Sequence, residues 1–165
     1  MTSGNAQQRA EPAPVDLRIG DVRLENLPEI IALDTAITGI SKPELWYAYY
    51  GEIQRGLSRS FLVAQLGGQV VGYIIGDIRA WEFGSAPCGW IVTIGVAPQH
   101  RLEGIASALF SAVVERFRPS GVTTVRTMTH IDEPLLMSFF RSHGMTAGPF
   151  IELETPIDAC DGTKS

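Results

Sequence analysis

Two periodicities alternate along this chain, and they divide it into short strands and amphipathic helices. Alternating apolar residues predict a first strand over 15–19. Apolar residues at helical spacing then predict a helix that Asn26 caps and Gly39 ends. A second helix is predicted over 43–55, with Ser41 as its N-cap.

The middle of the chain predicts a hairpin followed by a buried strand. Two apolar, β-branched runs over 60–66 and 69–78 flank the dipeptide Gly67-Gly68, which suits a two-residue turn with positive φ. The run over 89–96 is almost wholly apolar, as expected for a strand inside a sheet.

The second half of the chain predicts further helices and strands in alternation. A helix is predicted over 104–117, a strand over 122–129, a helix from its cap Asp132 to Gly144, and a last strand over 150–154. The strands before and after the first of these helices form a parallel, right-handed pair. The predicted fold class is therefore α/β (α+β) with a central mixed sheet, whose N-terminal strands form an antiparallel meander.

Composition narrows the range of partners. The formal net charge is -5 and the pI about 5.1, so the protein as a whole has no general attraction to nucleic acid or to an anionic membrane. No apolar run approaches the length of about 18 residues that a membrane-spanning helix needs. We expect no nucleic-acid partner and no membrane partner.

The spacing of the cysteines bears on the cellular compartment, and the composition of the chain ends bears on the limits of the folded domain. Cys88 and Cys160 show no spacing typical of a disulfide framework or a metal site, which favours a cytoplasmic protein without a metal. Residues 1–14 are polar and predicted to be a disordered leader, residues 15–154 a single domain, and residues 155–165 a flexible tail.

One segment carries a recognisable chemical pattern. The strand over 89–96 is closed by Pro98, and a turn containing Arg101, Gly104 and Ala106 leads at once into a helix. The unpaired N–H groups and the dipole of a helix N-terminus form an anion site suited to a pyrophosphate. The small residues allow close approach to the backbone, and the arginine adds positive charge. No Gly-Lys-Ser/Thr follows, which excludes a P-loop, and the glycine triplet of a dinucleotide site is absent.

Two motifs resemble those of one family. The pattern Val96-x-Pro98-x-x-Arg101-x-x-Gly104-x-Ala106 is similar to the acetyl-CoA motif of the GCN5-related N-acetyltransferase (GNAT) superfamily. The segment from Phe139 to Met145 resembles the aromatic-x-x-x-Gly-Phe ending of that family's last helix. The predicted strand order agrees with the family over roughly 15–154.

The resemblance implies a GNAT-like fold with a splayed parallel strand pair and helices on both faces of the sheet. It implies that the pantetheine arm of acetyl-CoA lies between the splayed strands and that an amine attacks the thioester directly. A backbone N–H near Gly95 or Val96 would stabilise the oxyanion. The implied acetyl-CoA-binding residues are Ile94, Gly95, Val96, Arg101, Leu102, Glu103, Gly104, Ile105, Ala106, Ser107 and Phe140.

The sequence departs from the family pattern at three places. Phe140 stands where many members carry a tyrosine that acts as a general acid, and Phe140 has no proton to donate. Leu102 and Glu103 stand where the turn is often basic or glycine, and a carboxylate beside a pyrophosphate is unfavourable unless it points away. Met145 replaces a phenylalanine, a volume-conserving change.

Side-chain chemistry and position give candidates for the catalytic base and for the acceptor site. His130 and Glu82 are candidate bases, and the alternatives are a loop histidine with a local hydrogen bond and an exposed loop charge. Asp77 is a further carboxylate candidate. The candidate acceptor-binding residues are Trp46, Tyr47 and Tyr50, for which packing together with an amphipathic surface is the alternative, and Trp81 from the loop after the hairpin.

The resulting hypothesis is an N-acetyltransferase that uses acetyl-CoA and a primary amine, either a small molecule or a protein N-terminus or lysine. The alternatives are a catalytically silent acyl-CoA sensor, which Phe140 favours, and a nucleotide-binding module. The oligomeric state, monomer or homodimer, is left open.

Overall fold

The computed structural model describes residues 12–56, 58–81 and 84–157. Its strands and α-helices, in chain order, are β1 (Arg18–Asp21), α1 (Leu27–Thr38), α2 (Pro43–Gln54), β2 (Arg59–Leu66), β3 (Gln69–Arg79), β4 (Cys88–Val96), α3 (Ile105–Phe117), β5 (Val125–Thr127) and α4 (Pro134–Ser142). The chain divides into two compact units, the first ending at Met128 and the second beginning at Thr129. None of the described helices is long and apolar enough to span a membrane. Most of the predicted leader and tail lies outside the described residues.

The sheet of the first unit is mixed, as predicted. Its strand order is β1-β2-β3-β4-β5, with antiparallel pairing from β1 to β4 and parallel pairing between β4 and β5. The predicted hairpin is confirmed, since β2 and β3 are joined at Gly67 and Gly68, whose φ values are 56° and 87°. The antiparallel meander and the parallel pair therefore follow the sequence-based expectation.

Helices cover both faces of this sheet. On one face, Tyr73 and Ile75 of β3 share a buried cluster with Trp46 of α2 and Ile30 of α1. On the other face, α3 packs against β2, β3 and β4. The alternation of side chains along β3 sends successive residues to the two helical layers.

Glycines on the α3 face let this helix approach the sheet closely. A Cβ on Gly72 would lie 3.0 Å from Leu109 Cδ1, and a Cβ on Gly76 would lie 2.8 Å from Val113 Cγ2. The distance at Gly76 is one that real Cβ atoms essentially never show, and the distance at Gly72 would require Leu109 to move by a few tenths of an ångström. This close packing holds α3 against β3 and β4.

Two helix caps differ from the prediction. Lys42 caps α2 where Ser41 was expected, and Glu133 caps α4 where Asp132 was expected. The cause is the same in both helices, because a proline begins each one and disfavours helical backbone at the residue before it. The non-helical residue directly before the proline therefore becomes the cap.

Three predicted strands have different limits. β1 begins at Arg18 and not at Val15, which is fully exposed. The strand expected over 122–129 is reduced to β5. Residues 150–154, all of them described, form no strand, and Ile151 and Leu153 are exposed. An alternating sequence shows which residues suit a strand, but strand hydrogen bonds also need a neighbouring strand.

The second unit contains α4 and a glycine cap that explains the motif at its end. Gly144 has a φ of 79°, its N–H donates to the Arg141 carbonyl at 3.0 Å, and the Met145 N–H donates to the Phe140 carbonyl at 3.1 Å. These two bonds define a Schellman cap, in which glycine adopts the left-handed conformation without steric cost. The predicted end of this helix at Gly144 is confirmed.

Candidate active site

The parallel strands pair over only a short distance. Gly89, Trp90 and Ile91 of β4 are paired with the three residues of β5, which ends at Thr127. β4 continues to Val96, so its last residues have one edge that β5 does not cover. A strand edge of this kind presents unpaired N–H and C=O groups.

A bulge decides which main-chain groups face that edge. In the ladder between β3 and β4, Ile75 pairs with Thr93 but the next residue, Gly76, pairs with Ile91. Val92 is therefore the extra, unpaired residue of a β-bulge. Further along, the Ala97 N–H donates to the Val71 carbonyl at 2.8 Å. Because main-chain groups alternate along an antiparallel strand, Gly95 also faces β3. Ile94 and Val96 therefore direct their N–H and C=O groups to the open edge.

The turn after β4 leads to the N-terminus of α3. Gly104 is the N-cap, with φ 73°, and it has no side chain to accept a hydrogen bond from the helix. The first intrahelical bond is donated by Ala108 to the Gly104 carbonyl at 3.0 Å. The N–H groups of Ile105, Ala106 and Ser107 precede it and have no acceptor within the helix. They carry the positive end of the helix dipole.

Leu102 adopts a strained conformation within this turn. Its φ is 67°, although it is not glycine, and the residue is 65% exposed. The left-handed region costs a residue with a Cβ about 1–2 kcal/mol. A glycine at this position would adopt the same φ without that cost.

Charged groups occupy the rest of the turn. Arg101 is exposed. Glu103 does not cap the helix, because its Oε2 lies 3.0 Å from the Nδ1 of His100. The sequence did not predict this pair.

Behind β4 lies a buried polar cluster that the sequence also did not predict. The carboxylate of Asp34 accepts hydrogen bonds from the Tyr73 hydroxyl at 3.0 Å and from the Trp46 indole N–H at 3.2 Å. Lys42 Nζ lies 2.9 Å from the same carboxylate. Burial, and next to it the charge of Asp34, raise the pKa of Tyr73, which therefore stays neutral. The signal in the sequence is that Asp34 falls on the apolar face of α1, seven residues after Leu27.

This cluster touches β4 through the tyrosine ring. A Cβ placed on Gly95 would lie 2.5 Å from Tyr73 Cζ and 2.7 Å from its hydroxyl oxygen. Gly95 is therefore required by the packing of Tyr73 across the strand. The position of β4 beside its open edge depends on the ring that Asp34 holds.

The predicted acceptor residues lie in different environments. Trp46 is 2% exposed and its indole N–H is bound by Asp34, so it is a core residue and its predicted acceptor role is not retained. Tyr50 is half-buried and packs against the same core. Tyr47 and Trp81 are exposed, and Trp81 has a left-handed φ of 65°. The latter two remain predictions.

Of the candidate catalytic residues, the structure describes His130 and Asp77, which belong to different units. His130, in the second unit, is exposed and its Nδ1 accepts the Asp132 N–H at 3.1 Å, the local hydrogen bond weighed as its alternative. Glu82 lies outside the described residues. Asp77 is held by Arg59 through two hydrogen bonds. Phe140 is buried in the second unit, with its ring edge-on to Phe139 at 5.2 Å between centroids.

The sequence model of the acetyltransferase (GNAT) family matches residues 27–145. The chain belongs to this family. The chain is thus an acyltransferase, and the resemblance stated from its motifs is confirmed. Within the described residues, no group of His, Cys, Asp and Glu has an arrangement that would hold a metal ion.

Two characterised proteins are similar to this GNAT chain in sequence. The L-2,4-diaminobutyric acid acetyltransferase of Nocardia farcinica is 28% identical over 172 residues, which cover 96% of this chain and 86% of that protein. The N-alpha-acetyltransferase of Sulfurisphaera tokodaii is 30% identical over 111 residues, 62% of this chain and 64% of that protein.

A solved structure confirms the fold of this GNAT chain. The aminoglycoside N-acetyltransferase AAC(6')-Iy in complex with CoA is 18% identical, with a TM-score of 0.75 over 86% of this chain and 95% of that chain. At this identity the likeness bears on the fold alone. The predicted GNAT-like fold class is therefore confirmed.

Proposed function

We propose that this GNAT protein transfers the acetyl group of acetyl-CoA to a primary amine by direct attack in a ternary complex. The observation that carries the proposal is that the open edge of β4 leads, within one unit, through a short turn to the glycine-capped N-terminus of α3. Acetyl-CoA needs both features, because its pantetheine arm carries amides and its nucleotide end carries a diphosphate.

The open edge suits the pantetheine arm. Ile94 and Val96 offer N–H and C=O groups at the spacing of a strand, and the amides of pantetheine pair with them as a neighbouring strand would. Gly95 faces β3 instead, so its part is to leave room for Tyr73. Of the two N–H groups considered for the oxyanion, only that of Val96 is directed to the open edge.

The turn and the helix N-terminus suit the diphosphate. The N–H groups of Ile105, Ala106 and Ser107 act as donors, and the helix dipole favours the negative charge. Arg101 adds a positive charge from the turn. Leu102 contributes its backbone, whose left-handed conformation turns the chain towards the helix.

The chemistry follows from these positions. The neutral amine attacks the thioester carbonyl, a C–N bond forms, the C–S bond breaks, and the CoA thiolate leaves. A base takes the proton that the nitrogen loses, and His130 and Glu82 stay our candidates for it. Phe140 donates no proton, so we propose that the thiolate leaves unprotonated, which the acidity of a thiol permits. Holding both substrates together supplies much of the acceleration.

The acceptor that we propose is a small molecule with a primary amine. The support is the Nocardia farcinica relative, named for acetylating diaminobutyric acid and aligned over 96% of this chain. The Sulfurisphaera tokodaii relative, named as an N-alpha-acetyltransferase, makes protein N-termini the second group of acceptors to test. Release of CoA measured against a panel of diamino acids, aminoglycosides and peptides ranks these groups.

One observation favours the alternative of a silent acyl-CoA sensor. Phe140 removes the acid that many family members use, and His130, the only candidate base that the structure describes other than the arginine-bound Asp77, has a local hydrogen bond. A sensor would bind CoA and release none from acetyl-CoA with any amine of the panel. Turnover with a single amine excludes it.

The anion site is tested by Gly104→Glu. The new carboxylate would compete for the same N–H groups, so we expect CoA binding in calorimetry to weaken by about 100-fold, which corresponds to about 2.7 kcal/mol. Gly121→Glu is the matched control, since Gly121 also has a left-handed φ, of 70°, but follows the C-terminal end of α3. Normal CoA binding by Gly104→Glu would place the diphosphate elsewhere. A cytoplasmic location and the choice between monomer and homodimer stay predictions.

A further inference from the structure

His100 and Glu103 form a hydrogen-bonded pair inside the turn that precedes α3. His100 ends a short 3-10 segment that begins at Pro98, and its Nδ1 lies 3.0 Å from Glu103 Oε2. The two side chains are 30% and 37% exposed. Leu102, between them, has a left-handed φ of 67°.

The carboxylate of Glu103 has a competing position. It belongs to the residue directly before the N-cap Gly104, and the N–H groups of Ile105 to Ser107 attract carboxylates. If it bound them, the chain would fill its own anion site. If it merely faced them, its charge would repel a bound diphosphate across a few ångströms.

In the structure the Glu103 carboxylate is instead hydrogen-bonded to the His100 imidazole. No side-chain hydrogen bond caps α3, and the Glu103 oxygen is engaged by His100 on the side of the turn that precedes the helix. A neutral imidazole that carries its proton on Nδ1 donates to this oxygen, and an imidazolium does so more strongly. Both protonation states of His100 therefore retain the pair.

We propose that His100 is a positioning residue, which holds the Glu103 carboxylate away from the N-terminus of α3 and so keeps that N-terminus open to an anion. The identity of the anion, the diphosphate of CoA, rests on the proposed function. With His100 neutral, the charges of Arg101 and Glu103 cancel within the turn, so the position of the carboxylate decides whether the anion meets attraction or repulsion.

The proposal predicts a specific pattern of CoA affinities among single and double variants. His100→Ala frees the carboxylate, and we expect the Kd for CoA, measured by calorimetry, to rise about tenfold. Glu103→Gln removes the charge, and its Kd is expected at or below that of the unchanged chain. In the double variant His100→Ala/Glu103→Gln there is no carboxylate to position, so the Kd is expected within about twofold of that of Glu103→Gln.

The rescue separates positioning from a merely structural role. His100→Asn is a conservative variant whose amide N–H can still donate to the carboxylate, and it is expected to bind CoA more tightly than His100→Ala. Unfolding midpoints of all variants, measured without CoA, show whether the turn has been disrupted. A role in packing alone would lower the midpoint of the double variant and leave its affinity as weak as that of His100→Ala.

Two outcomes would overturn the inference. One is a Kd of His100→Ala within twofold of the unchanged chain, and the other is a double variant as weak as His100→Ala. Neither affects the proposed function if the unchanged chain binds CoA and Gly104→Glu weakens that binding by about 100-fold. Absence of CoA binding by the unchanged chain would instead refute the proposed function.

Discussion

The contact between Gly95 and Tyr73 offers the sharpest test of how β4 is positioned. Gly95→Ala adds a Cβ that would lie 2.5 Å from Tyr73 Cζ and 2.7 Å from both Cε1 and the hydroxyl oxygen. Carbon atoms pack favourably at about 3.5–4.0 Å, so the ring has to move by about 1 Å. Two contacts hold the ring in place, because its hydroxyl donates to Asp34 and it packs in a T-shaped arrangement with Trp46, at 4.8 Å between centroids.

The magnitude follows from what that movement disrupts. Overpacking of a filled core costs about 1–3 kcal/mol. Weakening a buried hydrogen bond to a charged acceptor adds about 1.5 kcal/mol. Replacing glycine in a strand regains about 0.5–1 kcal/mol, because the unfolded chain loses conformational freedom. We expect Gly95→Ala to lower the free energy of unfolding by about 2–3 kcal/mol, a large share of the 5–15 kcal/mol typical of a domain.

The assay is equilibrium unfolding in denaturant, with the midpoint compared at constant slope. Gly20→Ala is the matched control, because Gly20 also lies in a strand and a Cβ there meets no heavy atom within 4 Å. The control is expected to be neutral or slightly stabilising. The double variant Gly95→Ala/Tyr73→Ala should lose less free energy of unfolding than the two single variants together, by about 1–2 kcal/mol. Equal midpoints for Gly95→Ala and Gly20→Ala would show that the ring is not held as described.

Two further predictions concern strain and ionisation. Leu102→Gly removes the left-handed strain at φ 67° and should raise the free energy of unfolding by about 0.5 kcal/mol. Ser111→Gly is the control, because Ser111 is exposed in the middle of α3, where glycine should lower the free energy of unfolding. A lower free energy of unfolding in both variants would refute the strain at Leu102. Because the pKa of Tyr73 is raised above its ordinary value of about 10, the unfolded chain releases that proton first, and stability declines as pH rises above about 10. Tyr73→Phe should lose less stability than the unchanged chain between pH 10 and 11, by up to about 1.4 kcal/mol, and parallel curves would contradict the shift.

Local patterns predicted those elements whose stability is decided locally. The hairpin at Gly67-Gly68 and the start of α3 after Gly104 follow from short-range periodicity and turn residues, and both are confirmed. The predicted strand over 150–154 depends on a partner at a distance, and among the described residues it forms no ladder. Alternation is a property of one segment, whereas a strand is a property of two.

The candidate site shows the same division. Its main-chain part could be predicted, because a strand ending in Pro98 and a helix starting after Gly104 fix the donors whatever the intervening side chains are. The pair of His100 and Glu103 could not be predicted, because the turn between them has a left-handed backbone at Leu102 and the sequence has no glycine there to indicate it. The cluster around Asp34 joins two helices and a strand, so only the fold reveals it.

The extra residue at Val92 connects the sheet to the site. Before the bulge, the main chain of Gly89 faces β5, since its N–H donates to the Thr124 carbonyl at 2.9 Å. If Val92 were paired like its neighbours and the ladder continued without a bulge, the same parity would continue, and Gly95 would face the open edge in place of Ile94 and Val96. Tyr73 would then pair with Ile94, whose side chain would occupy the space that the tyrosine ring fills beside Gly95. The bulge therefore places Gly95 opposite Tyr73, where the ring needs the space, and leaves the main-chain groups of Ile94 and Val96 at the open edge to bind a ligand.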